Sequence, residues 1–494
     1  MASRRNPYPV LVIAALLPAI GLAGLWQFAG NQKPDAVDVV VTQPSSDTTL
    51  PTVMTVPALP VLATPLLSVR RAPSVLARQV SEDALRAALQ PFADDIGATS
   101  CFAVSIDGEP VVAVNETLPL RPASNVKLIT ASVALEVLGP EFTYTTSVNG
   151  VLAGGVVQGN LYFVGGGDPV LNSLWWQGPN KNYPPFNRTS IEALADFIKV
   201  AGVTAITGSI VGDASRYDGE LYPPSWANDV RFTDGGPVSA LLVNDSRESD
   251  TVASSDPVVG AAAVLNSLLV ERGITVGAPP VAGTAPADSP IIASIDSLPL
   301  PAILAEMLTT SDNSTAEMVL KEIGLASSNA GTRIAGLAVL TSTMQSWGIP
   351  MDGMNLVDGS GLSDDDRLTC ATLLAILQHG SLSDAVGQGL AVGGAPGSTL
   401  YDSFLAGQPL SGVIRAKTGT LKNLSDGTTP DGKPGAKALS GYVPAEGGGV
   451  IEFSLLLNGQ TISDPAQYQP IWKDMAEIFA DYPSGPTAAD LGPR

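Results

Sequence analysis

The spacing of apolar residues along the chain predicts where its folded part begins. An almost uncharged apolar run covers residues 8–29, directly after Arg4 and Arg5. Residues 30–80 then mix Pro, Thr, Ser and Val without helical or strand periodicity, which is typical of an extended tether. From Ser81 onward apolar positions recur at helical spacing behind a residue suited to cap a helix, so we expect the folded part to start there.

The apolar run at residues 8–29 has two interpretations. Its length approaches the ~20 residues needed to cross a bilayer, and it has no clean A-x-A cleavage site. We therefore expect an uncleaved transmembrane anchor, with residues 1–7 in the cytoplasm because positively charged flanks stay inside. The alternative is an export signal that is cleaved. The remaining chain is extracytoplasmic in both cases, anchored to the cell membrane in the first and secreted in the second.

Strand and helix patterns alternate through the rest of the chain. "SCFAVSIDGEPVVAVN" alternates around Asp107 and Gly108 and predicts a β-hairpin. The sequence pattern then changes to short Val-rich segments that predict strands, with one predicted helix near "SIEALADFIKVAG". Helices return afterwards, and three strands and a closing helix end the pattern.

These patterns predict an α+β fold in which one domain is interrupted by another. An antiparallel sheet flanked by helices is expected for the outer segments, because strands with one predicted apolar face need a covering layer. We assign residues 81–140 and 290–484 to this domain, residues 141–289 to a β-rich insert and residues 485–494 to a tail.

Charge and composition exclude several kinds of chemistry. The chain has 47 acidic and 26 basic residues, a net charge of −21, which argues against nucleic acid as a partner. The single histidine, His379, ends an apolar helical run just before Gly380, where a helix C-terminus favours it. We expect no metal and no other cofactor, and the base of any hydrolase here should be Lys or a carboxylate. Cys101 and Cys370 are compatible with a disulfide or with two buried thiols, and the sequence leaves this open.

The pair Ser124 and Lys127 is the first candidate for chemistry. It lies in "LRPASNVKLITASVALEVLG", where Pro122 and the apolar spacing place Ser124 in the first turn of a helix and Lys127 one turn further on the same face. A serine hydroxyl needs a neighbouring base, and lysine can serve if burial and a nearby cation lower its pKa. Taken alone, the pair also fits a capping serine beside a solvated lysine.

Two further motifs follow in order. Lys417, Thr418 and Gly419 lie on a predicted strand, and "TTSDNSTAEMVL" contributes Ser-Asp-Asn at 311–313 ahead of a predicted helix. Each motif alone also fits an ordinary strand end or helix start. All three in one order occur by chance much less often than any one of them.

The set of three motifs resembles the signature of class A β-lactamases and penicillin-binding proteins. The wider strings "PASNVKLITASVALEVLG", "GGGDPVL", "PVSALLVND", "TTSDNSTAE", "DGSGLS" and "AKTGTL" are similar to the D-alanyl-D-alanine carboxypeptidase/endopeptidase family that includes penicillin-binding protein 4, the S13 peptidases. The resemblance runs from about Ser81 to Tyr482. It implies a penicillin-binding/serine β-lactamase-like catalytic domain interrupted by inserted β-rich domains, which agrees with the change of sequence pattern.

The resemblance implies a catalytic role for three residues. Ser124 would be the nucleophile, Lys127 its base, and Ser311 would relay a proton to the leaving group. Lys417 would add the positive charge that depresses the pKa of Lys127.

It also implies the substrate-binding residues. Asn313 would hold the substrate amide, and Lys417 would attract the substrate carboxylate. Thr418 and Thr420, on either side of Gly419, would hydrogen-bond that carboxylate, and the N–H groups of Ser124 and Thr420 would form the oxyanion hole.

The expected function is that of a serine D,D-carboxypeptidase that cleaves the terminal D-Ala of peptidoglycan stem peptides through an acyl-enzyme. D,D-endopeptidase activity and covalent inhibition by β-lactams are implied with it. The alternatives are a serine β-lactamase and a catalytically silent cell-wall-binding module. One departure concerns "DGSGLS", after which many relatives carry a basic residue, whereas this chain has Asp364, Asp365 and Asp366. Recognition of an acidic side chain on the stem peptide is therefore left open.

Overall fold

The computed structural model describes residues 72–178, 180–249, 252, 254–422 and 435–491. The predicted anchor at residues 8–29 and the tether up to residue 71 lie outside these residues. Pro73–Arg494 forms one compact unit, distinct from Met1–Ala72. Within the residues that the structure describes, no helix is long and apolar enough to cross a membrane.

The first helix begins earlier than the sequence predicted. Helix α1 spans Ala72–Asp94, so Ser81 is buried within it and does not cap it. Pro73 lies in the first turn, where its missing N–H costs nothing and its fixed φ favours the helical backbone. The predicted boundary between tether and folded domain at Ser81 was therefore wrong.

A six-stranded antiparallel sheet forms the centre of the fold. Its strands are β1 (Ser100–Ile106), β2 (Glu109–Val114), β14 (Ala391–Val392), β15 (Arg415–Leu421), β16 (Gly435–Ala445) and β17 (Gly449–Gly459). Their order across the sheet is β14-β15-β16-β17-β1-β2. The predicted hairpin is confirmed, because β1 and β2 pair around Asp107 and Gly108, which both have positive φ. The three predicted C-terminal strands are confirmed as β15, β16 and β17.

Helices cover both faces of this sheet. Strand β1 shows why, because Cys101 and Ala103 pack into one apolar cluster while Phe102 and Val104 pack into the other, as the alternation of a strand requires. The first cluster includes residues of six helices: α2 (Val126–Leu138), α6 (Leu300–Thr310), α7 (Asn313–Ser328), α8 (Arg333–Ser346), α9 (Cys370–His379) and the short α10 (Ala385–Gly389), which precedes β14. The second includes residues of α1 and the closing helix α11 (Pro465–Ala480).

The insert has its own apolar core, and its described residues form three sheets. It extends past the predicted end at residue 289, because residues 291–296 pair with its first strand and pack against that core. The first sheet comprises β3 (Thr145–Asn149), β6 (Leu161–Val164), β10 (Ile210–Asp213), β12 (Val281–Ala282) and β13 (Ile291–Asp296). The second comprises β4 (Leu152–Ala153), β5 (Val156–Val157), β9 (Ala205–Ile206) and β11 (Thr275–Val276), and the third β7 (Leu171–Asn172) and β8 (Thr189–Ser190).

The insert is richer in helix than predicted. Helix α3 (Ile191–Val200) is the expected one, but α4 (Asn228–Thr233) and α5 (Pro257–Glu271) are also present. Helix α5 was missed because it is apolar on nearly all sides and rich in Val, Ala and Leu, which gives no helical periodicity. Its start did carry a signal: Asp256 accepts hydrogen bonds from the N–H groups of Val258 and Val259, and Pro257 follows it.

The structure shows whether the two cysteines are bonded and what surrounds the histidine. Cys101 and Cys370 form a disulfide that joins β1 to α9, with their Cα atoms 6.0 Å apart. His379 ends α9 as predicted, and its ring stacks on Trp347 at a centroid distance of 4.1 Å. The histidine ring is therefore packed against another side chain, as expected for a residue with a structural role.

Candidate active site

A cavity of about 970 Å³ brings the three sequence motifs together. Residues of all three motifs line it: Ser124, Ser311, Asn313, Thr418 and Thr420. Lys127 and Lys417 are fully buried and reach this group from inside the protein. Gly419 lies between the two threonines on β15. All eight predicted site residues are thus part of one arrangement.

The turn that carries Ser124 is tighter than the predicted α-helix. Residues 123–125 form one turn of 3-10 helix ahead of α2, and Ala123 has a φ of 47°, which is rare for a residue with a Cβ. Backbone strain of this kind often accompanies a functional site. Asn125 fixes the turn against β15 by donating a hydrogen bond from Nδ2 to the carbonyl of Lys417 at 3.2 Å.

Gly419 permits the close contact between β15 and this turn. A Cβ at this position would lie 2.8 Å from the carbonyl oxygen of Pro122 and 3.0 Å from the Cβ of Ala123. The glycine of the Lys-Thr-Gly motif is therefore required by packing against the nucleophile turn.

Lys127 has the surroundings of a general base. Its Nζ lies 3.0 Å from Ser124 Oγ, 2.6 Å from Asn313 Oδ1 and 2.8 Å from the carbonyl oxygen of Ser360. A neutral amine has two N–H groups and one lone pair, so it can donate to the last two atoms and accept the proton of Ser124. The three contacts match this inventory.

Burial lowers the pKa of Lys127 to about 8, while four nearby carboxyl groups, led by Asp358, oppose the shift. Burial is the main cause of this shift, and the expectation that Lys417 helps to hold Lys127 neutral stays a prediction. The pKa of Lys417 is itself well below its ordinary value, first through burial and then through the charges of Lys127 and Lys437. Desolvation therefore dominates at both lysines.

Ser311 contacts Lys417 directly at the cavity. It ends helix α6 in a left-handed conformation with a φ of 66°, and its Oγ accepts a hydrogen bond from Lys417 Nζ at 2.8 Å. The same Nζ donates to the carbonyl of Thr418 at 2.8 Å. Asp312 then caps α7 by accepting from the N–H of Thr315. Ser311 and Lys417 thus form a second hydrogen-bonded pair of serine and lysine, like that of Ser124 and Lys127.

Asn313 connects the base to the insert. Its Oδ1 accepts from Lys127, and its Nδ2 donates to the carbonyl of Asp234 at 2.6 Å. The second hydrogen on Nδ2 and the second lone pair on Oδ1 are still available to a substrate amide.

The loop at residues 358–363 supports Lys127 and was not assigned a role from the sequence. Glu317 accepts hydrogen bonds from the N–H groups of Gly359 and Ser360, which orients the Ser360 carbonyl that contacts Lys127. Asp358 accepts from three N–H groups of its own loop and from Trp226 Nε1 of the insert at 2.8 Å. The Asp-Gly-Ser-Gly string signalled a turn, but nothing in the sequence signalled Glu317 as its partner.

Two other residues at the cavity were missed. Asp364, the first residue of the acidic run, lines the cavity and forms an ion pair with the buried Arg121 at 2.8 Å. Lys437 on β16 lines it too and donates to Thr420 Oγ1 at 2.9 Å. Only the first had a sequence signal, namely the departure after "DGSGLS".

A serine next to a buried lysine, opposed across one cleft by a Ser-Asp-Asn and a Lys-Thr-Gly motif, defines the class of serine acyl-transferases that bind penicillin. The D-Ala-D-Ala carboxypeptidase 3 (S13) family matches residues 85–254 and 242–482, and the chain belongs to that family.

Similar proteins agree with this assignment. A D-alanyl-D-alanine carboxypeptidase of Actinomadura sp. (strain R39) is 28% identical over 447 residues, covering 73% of this chain and 78% of the relative. A carboxypeptidase of Mycobacterium tuberculosis is 30% identical over 362 residues, covering 69% of this chain and 72% of the relative. The crystal structure of penicillin binding protein 4 from Haemophilus influenzae shares the fold, with a TM-score of 0.64, 19% identity and coverage of 80% of this chain and 99% of that one.

Proposed function

We propose that the protein is a serine D,D-carboxypeptidase that cleaves the terminal D-Ala of peptidoglycan stem peptides through an acyl-enzyme and is acylated by β-lactams. The observation that carries the proposal is the contact of 3.0 Å between Ser124 Oγ and a buried lysine whose other two contacts are hydrogen-bond acceptors. Membership of the S13 family supports the substrate class.

In the first step Ser124 Oγ attacks the carbonyl carbon of the penultimate D-Ala as Lys127 Nζ takes its proton. The negative charge then develops on the carbonyl oxygen, where the N–H groups of Ser124 and Thr420 form the oxyanion hole. Ser311 passes a proton to the leaving amine, with Lys417 as the next member of the relay. The bond to the terminal D-Ala breaks, and the acyl group remains on Ser124.

Proton exchange with solvent then returns Lys127 to its neutral form and replaces the proton that the Ser311 relay gave away. In the second step water attacks the ester carbon as Lys127 Nζ takes a proton from it, and Lys127 returns that proton to Ser124 Oγ as the bond between Oγ and the acyl carbon breaks. A β-lactam follows the same first step, but its leaving amine stays attached to the acyl group and cannot diffuse away. A slow second step with β-lactams distinguishes this enzyme from a serine β-lactamase, which has a group that activates water for fast deacylation.

D,D-endopeptidase activity belongs to the same proposal. The cavity of about 970 Å³ lies at the upper end of the usual range for ligand sites and exceeds what a terminal dipeptide needs. Incubation with cross-linked muropeptides and separation of the products measures this activity beside D-Ala release.

The test combines intact-mass spectrometry with product analysis. The protein should gain the mass of one benzylpenicillin on the peptide that contains Ser124, and it should release D-Ala from an acylated D-Ala-D-Ala peptide. Ser124→Ala should lose both activities, while Ser346→Ala, on the exposed face of α8, should keep both. An undiminished adduct on Ser124→Ala would reject the nucleophile. Deacylation within milliseconds would indicate a β-lactamase, and no adduct on the wild type a silent wall-binding module.

The location follows from the substrate. Peptidoglycan lies outside the cytoplasmic membrane, and the disulfide between Cys101 and Cys370 suits an oxidising compartment. The apolar run at residues 8–29 is proposed to anchor the enzyme in the membrane. Native protein should then stay in the membrane fraction with an uncut N-terminus, whereas soluble protein that begins near Asn31 would show that a signal is removed.

A further inference from the structure

Lys437 places a third lysine at the cleft, on the strand next to the Lys-Thr-Gly motif. In the register of β15 and β16 it lies directly opposite Thr420. Its Nζ donates a hydrogen bond to Thr420 Oγ1 at 2.9 Å, and its side chain lines the cavity together with Ser124 and Thr418. Neighbouring positions on paired strands act as one unit on a sheet surface.

Aromatic rings hold this lysine in place. Its Nζ lies 4.1 Å from the ring centre of Tyr468 and 5.2 Å from that of Trp472, both on α11. Cation–π contacts of this length stabilise a cation without neutralising it. Among the residues that the structure describes, no carboxylate lies within ion-pair distance of Lys437.

The three lysines at the cleft differ in their pKa values and in their hydrogen-bond partners. Burial lowers the pKa of Lys437 to about 8, so most of it is protonated at neutral pH. Lys417 has a pKa well below its ordinary value, and its Nζ is already bonded to Ser311 and to the carbonyl of Thr418. The titratable groups that face Lys437 are this lysine on β15 and the phenol of Tyr468 on α11. Lys437 is thus the better source of positive charge at this end of the cleft.

We propose that Lys437 is a positioning residue for the terminal carboxylate of the substrate. By donating to Thr420 Oγ1 it occupies one lone pair of that hydroxyl, so that the hydroxyl proton points toward the carboxylate and donates to it. Its positive charge attracts the same carboxylate. This proposal rests on the proposed function, and it adds a residue of the neighbouring strand to those of the Lys-Thr-Gly motif.

The test compares two substrates that differ only at the C-terminus: an acylated D-Ala-D-Ala peptide with a free carboxylate, and the same peptide as its amide. Lys437→Met keeps an unbranched side chain over the rings and removes the charge. It should raise KM for the carboxylate peptide by about 10-fold to 100-fold, as expected for one charge-assisted hydrogen bond. The value of kcat should stay within about twofold, and KM for the amide should not change.

Two further variants complete the design. Lys437→Arg should restore most of the affinity for the carboxylate peptide, because it keeps the charge. Lys473→Met removes a lysine on α11 that pairs with Glu477 at 3.6 Å and does not line the cavity, and it should behave as the wild type.

The pH dependence provides a second readout. In the wild type, KM for the carboxylate peptide should rise as the pH increases through about 8, because Lys437 loses its proton there. In Lys437→Met this rise should be absent.

Several results would overturn the proposal. An unchanged KM in Lys437→Met would do so, as would an equal rise of KM for both peptides or a loss confined to kcat, each of which indicates a structural role at most. A wild type that forms no adduct and releases no D-Ala would overturn the proposed function and this inference together. An active wild type with an unaffected Lys437→Met variant would overturn this inference alone.

Discussion

Lys127, the proposed base, should set the pH range in which Ser124 can be acylated. Its pKa is lowered to about 8, and only its neutral form accepts the proton of Ser124. The neutral fraction rises as the pH increases through this value and is about one tenth at pH 7. We therefore expect the limiting acylation rate at saturating β-lactam to rise with a midpoint near pH 8 and to level off about one pH unit above it. Stopped-flow acylation across this range measures it, and a rate that falls with rising pH would contradict the lysine base.

Replacing Lys417 tests what lowers the pKa of Lys127. Because burial is the main cause of this shift, Lys417→Ala should leave the midpoint of the pH profile close to that of the wild type. The limiting rate should fall by about 100-fold, since Ser311 loses the partner of its proton relay. His379→Ala should change neither quantity, as its ring stacks on Trp347. A midpoint that moves by a full pH unit in Lys417→Ala would show that repulsion between the two lysines controls the base.

At the scale of elements, the site depends on how closely β15 packs against the turn of Ser124. Gly419→Ala places a Cβ 2.8 Å from the carbonyl oxygen of Pro122, a contact with backbone that cannot move aside cheaply. The strand must retreat, which moves Thr420 away from the oxyanion position. We expect acylation to slow by about 100-fold and the protein to lose about 1–3 kcal/mol of stability through overpacking.

The matched control is Gly97→Ala, where a Cβ meets nothing within 4 Å. Acylation kinetics and chemical denaturation of both variants make the comparison. Wild-type kinetics in Gly419→Ala would show that this packing does not position the site.

The same scale shows what the sequence could reveal. The hairpin at Asp107 and the strands at the C-terminus were predictable, because each is a local pattern with its turn signal in place. Helix α5 was not, since a helix buried on most sides loses its periodicity.

The candidate site divides in the same way. Residues within short motifs were found by spacing, and the structure brings all of them together. Glu317 and Lys437 were not found, because their contacts with the loop at 358–363 and with Thr420 arise only from the way separate elements pack. The cause of the pKa shift at Lys127 was also beyond the sequence, since desolvation depends on the finished core.

At the scale of the whole molecule, the insert is part of the active site. Its Trp226 donates to Asp358, and the carbonyl of its Asp234 accepts from Asn313. Arg216 and Glu322 add an ion pair between the insert and α7. The first two bonds end on Asn313, which contacts Lys127, and on Asp358, whose charge acts on it. The insert and the interrupted domain therefore have to fold together for the base to be positioned.

The disulfide closes the chain around this combined structure. Cys101 and Cys370 are fully buried, and the bond spans 269 residues of sequence, including the entire insert. A cross-link over a long loop limits the freedom of the unfolded chain. Neither cysteine lines the cavity. Loss of the bond should therefore weaken the fold and leave the chemistry intact.

The double variant Cys101→Ala/Cys370→Ala tests this separation. We expect it to lose about 2–5 kcal/mol of stability, seen as a lower Tm and a lower denaturation midpoint, because removing a native disulfide typically has that cost. Its acylation rate at 25 °C should stay within about twofold of the wild type, since both β1 and α9 remain packed in the same apolar cluster. The control is wild-type protein that is reduced in denaturant and then refolded in the presence of reductant, so that both thiols stay free. It should show the same Tm as the variant. If the variant instead kept its Tm, the cross-link would not limit the unfolded chain, and if it lost acylation at 25 °C, the bond would help to position the cleft.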